Sequence, residues 1–352
     1  MCPDPEQSPV PDLEAIDHFF DNWCSLAWTE WIPFHATKQV WTRIPREPGL
    51  YRIRPVGKEY LVYIGETKRT LRDRLHTLRL ELEKSEQMPW SDPHAEAPAL
   101  WALRKIALEN EPVPAPVVAV PEDASSGTVI TGEPLLPADP YGSERSTDLE
   151  DEKSPSGLFE YECSAAPLDA SDSGRRGMES YLLYRYRQEN GESPLCNFGR
   201  FPARYRRSST KNEGKRGGKL ADGQKDNPAG DPSQPPLKPS GTPGERDWMG
   251  LLWSEPAPLD AEQLKGVPEG QGLYLLLDGT EVLLIGRAGN LSSQLAGQAA
   301  RAWEGTAIAC SYHAISVPVL PHQLRELEND LVGNYYEQYR KPPVFQFRVS
   351  SH

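Results

Sequence analysis

Cysteine is scarce in this chain and poorly placed for joint use. The five, Cys2, Cys24, Cys163, Cys196 and Cys310, are scattered and odd in number, and no two form a Cys-x-x-Cys clip. That spacing argues against a zinc site or a disulfide framework and makes a reducing, cytoplasmic interior the expected compartment. Long apolar runs are also missing. Nothing approaches the roughly 20 residues that span a bilayer, so no membrane partner is expected. The opening stretch, MCPDPEQSPVPDLEAIDHFF, has neither a basic flank nor an apolar signal core, so secretion is not expected either. Apolar residues make up only 38% and prolines number 35, which points to ordered modules separated by unfolded stretches. A chain of 352 residues has room for about two domains.

Positive charge is short overall, with a net charge of −13, but its distribution matters more than its sum. Residues 111–157 hold ten acidic and two basic side chains together with eight prolines, and almost no periodicity. They are expected to be a disordered insertion. Residues 200–219, RFPARYRRSSTKNEGKRGGK, hold eight basic side chains and one acidic. Such a stripe suits phosphate binding, and equally suits a solvated linker.

Seven aromatics, Phe19, Phe20, Trp23, Trp28, Trp31, Phe34 and Trp41, crowd the region before residue 46. Residues 1–46 are therefore expected as an aromatic-rich helical extension packed on the first domain. PGLYRIRPVGKEYLVYI at 48–64 reads as two strands around a turn. Leu71, Leu75, Leu78 and Leu82 fall at helical spacing, and a second helix is expected at about 97–109. A strand at 158–163 and a helix at 176–189 complete a domain over 47–202. Residues 203–246, polar and rich in Gly, Pro and Lys, read as a flexible linker.

After that stretch the pattern repeats. Gly272-Leu273-Tyr274 mirrors Gly49-Leu50-Tyr51, and Ile285-Gly286 mirrors Ile64-Gly65. Around Glu179 and Glu328 the halves align without a gap: Leu182 meets Leu331, Pro194 meets Pro343 and Phe198 meets Phe347. The chain is read as an internal duplication, with 247–352 the second copy.

The first copy gathers reactive side chains on regular elements: Tyr51, Tyr63, Arg72, Arg74, His76, Glu179 and Asn197. Each has an ordinary alternative, since tyrosine often just fills a strand face and arginines or a lone glutamate on a helix usually face water. As an ordered set they resemble the GIY-YIG nuclease family. Gly49-Leu50-Tyr51 stands for its first tripeptide and Tyr63-Ile64-Gly65 for its second. Arg74 lies in the family's Leu-x-x-Arg-Leu context, although it stands one residue further along than in common members, which leaves Arg72 a rival. Glu179 in Met-Glu-Ser-Tyr and Asn197 after Ser193-Pro194 complete the match over about 48–200.

The resemblance implies an α+β fold, with each copy a small three-stranded antiparallel sheet flanked by helices. It also implies a metal-dependent endonuclease acting on DNA; RNA as substrate and a non-enzymatic DNA- or protein-binding role stay open, since fold alone does not fix the chemistry. Glu179 would hold one Mg²⁺ or Mn²⁺, Arg74 would stabilise transition-state charge, and Tyr51 or Tyr63 would handle the attacking water. His76 would assist as a base or phosphate contact. Arg72, Arg200, Arg204, Arg206 and Arg207 are the expected nucleic-acid contacts, on double-stranded DNA. The second copy has Leu284 for the second tyrosine, Gln294 for the arginine and Gln346 for the asparagine, while Glu328 remains. It is expected to be inactive, which makes the chain either a monomer with pseudo-dimeric modules or a dimer.

Overall fold

The structure, a computed structural model, describes residues 18–83, 86–110, 160–301, 303 and 307–348. The expected acidic insertion at 111–157 and residues 1–17 of the expected extension lie outside the described residues. The first copy begins with a short edge strand, β1 (Ile32–Pro33), and a single helical turn, α1 (Lys38–Trp41). Strands β2 (Gly49–Pro55) and β3 (Tyr63–Thr67) form the hairpin, helices α2 (Leu71–Glu83) and α3 (Ala97–Asn110) follow, and β4 (Tyr161–Pro167) leads into α4 (Asp172–Asn190). The sheet is antiparallel in the order β1-β4-β2-β3.

Its central strand shows why these residues choose these elements. Successive side chains of a strand take opposite faces. Leu50 enters a core shared with α4, while Tyr51 and Ile53 enter a core under α2 and α3. Leu71, Leu75, Leu78 and Leu82 line one face of α2 and are all buried, each worth roughly 1.5–3 kcal/mol relative to exposure. Helix α4 starts where the Ser171 hydroxyl accepts the Gly174 N–H at 3.1 Å. It stops at Gly191, whose φ of 77° is left-handed and open mainly to glycine.

Two expectations need correcting here. The sheet has four strands, not three, because residues 32–33 pair with β4 instead of lying in a helical extension. A two-residue strand carries no readable alternation, so pattern alone misses it. The tryptophan-rich segment is fixed by Arg52, which is 0% exposed. Its guanidinium donates to the carbonyls of His18, Phe19 and Phe20 and lies 4.3 Å over the Trp28 ring.

The second copy repeats the plan. Strands β5 (Tyr205–Arg206) and β6 (Gly218–Lys219) form a small hairpin between the copies. Then β7 (Ala257–Pro258), β8 (Gly272–Asp278), β9 (Glu281–Ala288), α5 (Leu291–Ala299), β10 (Ala309–Ala314) and α6 (Pro321–Tyr339) follow. The order β7-β10-β8-β9 matches that of the first sheet. The likeness reaches upstream of the tripeptides. Cys24 and Met249 both take left-handed backbone, φ 54° and 57°, inside equivalent tight turns. The indole N–H of Trp28 bonds the Trp23 carbonyl at 3.0 Å, as Trp253 bonds Trp248 at 3.1 Å. The aromatic segment therefore belongs to the repeating unit.

Helices α4 and α6 pack against each other about an approximate two-fold axis. Tyr184 lies over its own counterpart, Gly333, where an added Cβ would overlap the tyrosine. Near the axis Asn329 donates to the carbonyl of its counterpart Ser180 at 3.1 Å. Further out, Arg187 meets Asp330 on one side and Tyr181 stacks on Tyr336 on the other, with ring centroids 5.8 Å apart. Tyr181 corresponds to Asp330 and Arg187 to Tyr336, so these two contacts are mates under the axis.

Part of the segment expected as a flexible linker at 203–246, residues 232–237, is laid down along this seam. Glu326 accepts the Gln234 N–H at 2.9 Å and Asp330 accepts the Leu237 N–H at 3.0 Å. Gln188 donates to the Leu237 carbonyl and Gln323 to the Pro232 carbonyl, each at 2.9 Å. Polar composition reports that a segment lacks a core of its own. Here order comes from backbone groups bonded by side chains of both helices.

Candidate functional site

Sequence-selected residues from four elements of the first copy converge with two residues that sequence reasoning missed. Tyr51 on β2 is fully buried. Its hydroxyl donates to Glu96 Oε1 at 3.0 Å and accepts from Arg74 Nε at 3.2 Å. The Arg74 guanidinium also spans both Glu96 oxygens, at 3.0 and 3.2 Å, and donates to the Pro93 carbonyl at 3.0 Å. A guanidinium has five N–H donors, so the four bonds of this clasp leave one for a ligand. Glu96, which stands just ahead of α3, is one of the missed residues, and Glu66 on β3 is the other. The run Ser91-Asp92-Pro93-His94-Ala95-Glu96 offered one signal, an acidic side chain placed at a helix start.

Tyr63 sits beside Tyr51, with ring centroids 5.8 Å apart, and is half-buried. Between them Gly65 lies opposite Tyr51 in the sheet. A Cβ at Gly65 would come within 2.6 Å of the Tyr63 ring and 2.8 Å of the Tyr51 hydroxyl. The second tripeptide thus needs its glycine so that both rings can lie flat across the strand. Burial pushes both phenols well above their ordinary value, and the nearby Glu96 adds to this. Burial also works against a charged Glu96, yet His94 and Arg74 outweigh it and hold that carboxyl below its usual value.

Glu179 on α4 is half-buried and close to Glu66 on β3. Burial and then the Glu66 charge push its carboxyl up to about 8, although Arg176 and a hydrogen bond from the Glu66 backbone pull the other way. Glu66 itself lies 3.6 Å from Arg175 and 3.9 Å from Arg176. Two neighbouring carboxyl groups offer hard oxygen donors of the kind that a hard divalent cation takes.

The remaining expected site residues separate clearly. Asn197 is turned onto the middle of β3, accepting the Ile64 N–H at 3.0 Å and donating to the Ile64 carbonyl at 2.8 Å. Gln346 grips Ile285 in the same way in the second copy, at 2.9 Å for both bonds. The shared position is thus a clamp on the tripeptide strand. Arg72 faces away from the cluster and bonds the carbonyls of Ile44 and Thr42. His76 is exposed and stands edge-on to Trp41, 6.2 Å away. Arg200 is buried on the Ser193 carbonyl, and Arg204 is tied to Asp226 and the Gln224 carbonyl. Arg206 is exposed on β5. Arg207 bonds the Arg200 carbonyl and lies 5.0 Å over Phe201. Burial lowers its pKa, and Tyr63 and Glu96 both lie within electrostatic reach of it.

In the second copy the same frame carries different charges. Tyr274 accepts from two amides, Gln294 at 3.1 Å and Gln298 at 3.0 Å. Leu284 stands in the place of Tyr63, opposite Leu276 as Tyr63 is opposite Ile53. Glu328 pairs with Arg287 at 3.1 Å, and Arg287 occupies the position of Glu66. Among the described residues Glu179 has no ion pair, whereas its counterpart here has one. No protein-family model, no curated protein and no solved structure matches this chain.

Proposed function

We propose that the first copy is a metal-dependent endonuclease of the GIY-YIG kind, acting on DNA, and that the second copy is its inactive partner. One observation carries this reading. Two carboxyl groups, Glu66 and Glu179, stand together beside a buried Tyr51–Arg74–Glu96 cluster, and among the described residues Glu179 has no ion pair, whereas its counterpart Glu328 in the second copy is paired with Arg287.

Glu179, with Glu66 beside it, would hold Mg²⁺ or Mn²⁺, which when bound supplies Lewis-acid stabilisation of the phosphoryl group and leaving oxygen. The chain's own groups do the rest. Arg74, fixed by Tyr51 and Glu96, offers its remaining N–H to the charge that builds on the phosphate. Tyr63, the more open of the two phenols, orients the attacking water through its hydroxyl. Tyr51 is too deeply buried to meet water and instead sets the angle of Arg74.

Nicking of supercoiled plasmid by the full chain in Mg²⁺ or Mn²⁺, lost on chelation, tests the reading. No cleavage of DNA in either metal would leave a binding role for the duplicated fold. Arg74→Ala and Tyr63→Phe are each expected to slow nicking about 100-fold or more, the usual scale for lost charge stabilisation or water handling. Arg72→Ala should leave the rate within a few-fold, because Arg72 bonds only the backbone ahead of α2. An essential Arg72 with a dispensable Arg74 would reverse the assignment.

The raised Glu179 carboxyl predicts a pH signature that needs no substrate. Between its ordinary value of 4.5 and about 8, the folded chain holds a proton that the unfolded chain releases. Stability from this group is therefore full below pH 4.5 and falls as pH rises towards 8. Thermal unfolding in chelator should show this decline, Glu179→Gln should flatten it, and Mg²⁺ should stabilise the parent more at pH 8 than at pH 6. Equal Mg²⁺ effects in parent and Glu179→Gln would place the cation elsewhere.

A further inference from the structure

The hairpin β5–β6 carries a notch of about 470 Å³ lined by Arg206, Arg207, Ser208, Ser209, Lys215 and Arg216. Four of the six lining residues are cationic and none is acidic. Among the described residues, Arg206 and Lys215 have no salt bridge, and both are exposed. Such a concentration of like charge is unfavourable alone and is relieved by an anion.

The notch is held in shape. Arg216 donates to the Met88 carbonyl at 2.6 Å and lies 3.9 Å over the Trp90 ring. Gly217 packs so closely under Arg206 and Arg207 that no side chain fits there, and its N–H bonds the Ser208 hydroxyl at 2.9 Å. The Ser91 N–H donates to the Ser209 carbonyl at 3.2 Å, and Asp92 accepts the Lys211 N–H at 2.7 Å. These bonds fasten the hairpin to residues 88–92, the loop that delivers Glu96 to the candidate site. Arg207 belongs to both places, lining the notch while lying within electrostatic reach of Tyr63 and Glu96.

We infer that this notch binds a backbone phosphate of the DNA strand, away from the phosphate at Arg74. The inference rests on the nuclease reading for the identity of the strand, whereas the anion site itself stands on the notch. Arg206, Arg207, Lys215 and Arg216 give the strand a cationic track into the cluster around Tyr63. Arg200 and Arg204, spent on internal bonds, take no part.

The test uses the full chain in chelator, where binding is read without cleavage. Anisotropy of a short labelled DNA duplex is followed against salt for the parent and for Arg206→Ala/Lys215→Ala, with thermal unfolding to verify that the variant folds. Each lost phosphate contact lowers the slope of log affinity against log salt by about 0.9. Over a fourfold rise in salt, loss of this one contact means that the parent should lose about 3.5-fold more affinity than the double variant. Equal slopes in two folded proteins, or no duplex binding by the parent, would overturn the proposal. If inorganic tripolyphosphate binds the parent and not the variant while duplex affinity is unchanged, the notch serves a free oligophosphate and the strand assignment falls. A reduced slope in a chain that cuts no DNA would keep the notch and remove the nuclease.

Discussion

A Glu179→Gln chain is expected to bind DNA nearly as well as the parent and to cut it at no measurable rate. The amide keeps the shape of the carboxyl and can still accept the Glu66 backbone N–H, so the fold has no reason to change. On the proposed reading the variant loses the carboxylate that would hold the cation, and with it several kcal/mol of transition-state stabilisation. Glu66 cannot replace it alone, since Arg175 and Arg176 already flank it. The control lies in the other copy. Glu328→Gln removes only a carboxylate already neutralised by Arg287, and nicking should continue at close to the parent rate. Full activity in purified Glu179→Gln, or equal inactivity in Glu328→Gln, would defeat the assignment of the two copies.

Arg187→Ala should cost about 3–5 kcal/mol of folding stability, the usual penalty for stranding a buried charge. Arg187, Glu326 and Asp330 are all 0% exposed. The guanidinium reaches Asp330 at 2.7 and 3.1 Å and lies 3.5 Å from Glu326. Without it, two carboxylates stay in the seam with only serine hydroxyls and backbone amides to satisfy them. Urea unfolding would measure the loss, and a second transition would appear if the copies then melt separately. Replacing Arg187 and both acids together by apolar residues of similar size should recover much of it, because such triads gain little over packed side chains. A loss below about 1 kcal/mol in Arg187→Ala would mean that the seam does not depend on this network.

The parts of the fold that sequence made legible are those with strong periodicity or exact spacing. The leucines of α2 and the shared 18-residue interval from Glu179 to Asn197 and from Glu328 to Gln346 are of that kind. The edge strands β1 and β7 were hidden because two residues have no period. Their common context was visible in Trp23 with Trp28 and Trp248 with Trp253, a five-residue interval written twice. Within the site, residue type located Tyr51, Tyr63, Arg74 and Glu179, but type could not say which way an arginine faces. Arg200 and Arg204 sit in the same basic stripe as Arg206, yet their donors are consumed by the chain itself. Glu96 was obscured for a related reason. Its role depends on Tyr51 and Arg74, 45 and 22 residues away, and no local pattern encodes such a meeting.

The seam between α4 and α6 has a consequence for self-recognition. A symmetric dimer writes every interface substitution twice, so an arginine facing an aspartate on one side must face one on the other. Here the mate of the Arg187–Asp330 pair is the Tyr181–Tyr336 stack, with Gly177 leaving room for Tyr336. Two α4 helices brought together would set Arg187 against Tyr181 on both sides, and two α6 helices would set Asp330 against Tyr336. Either pairing separates the guanidinium from its carboxylate and leaves the charge buried alone. The interface therefore accepts only unlike halves, and being joined in one chain, those halves meet at a local concentration that dilution does not change.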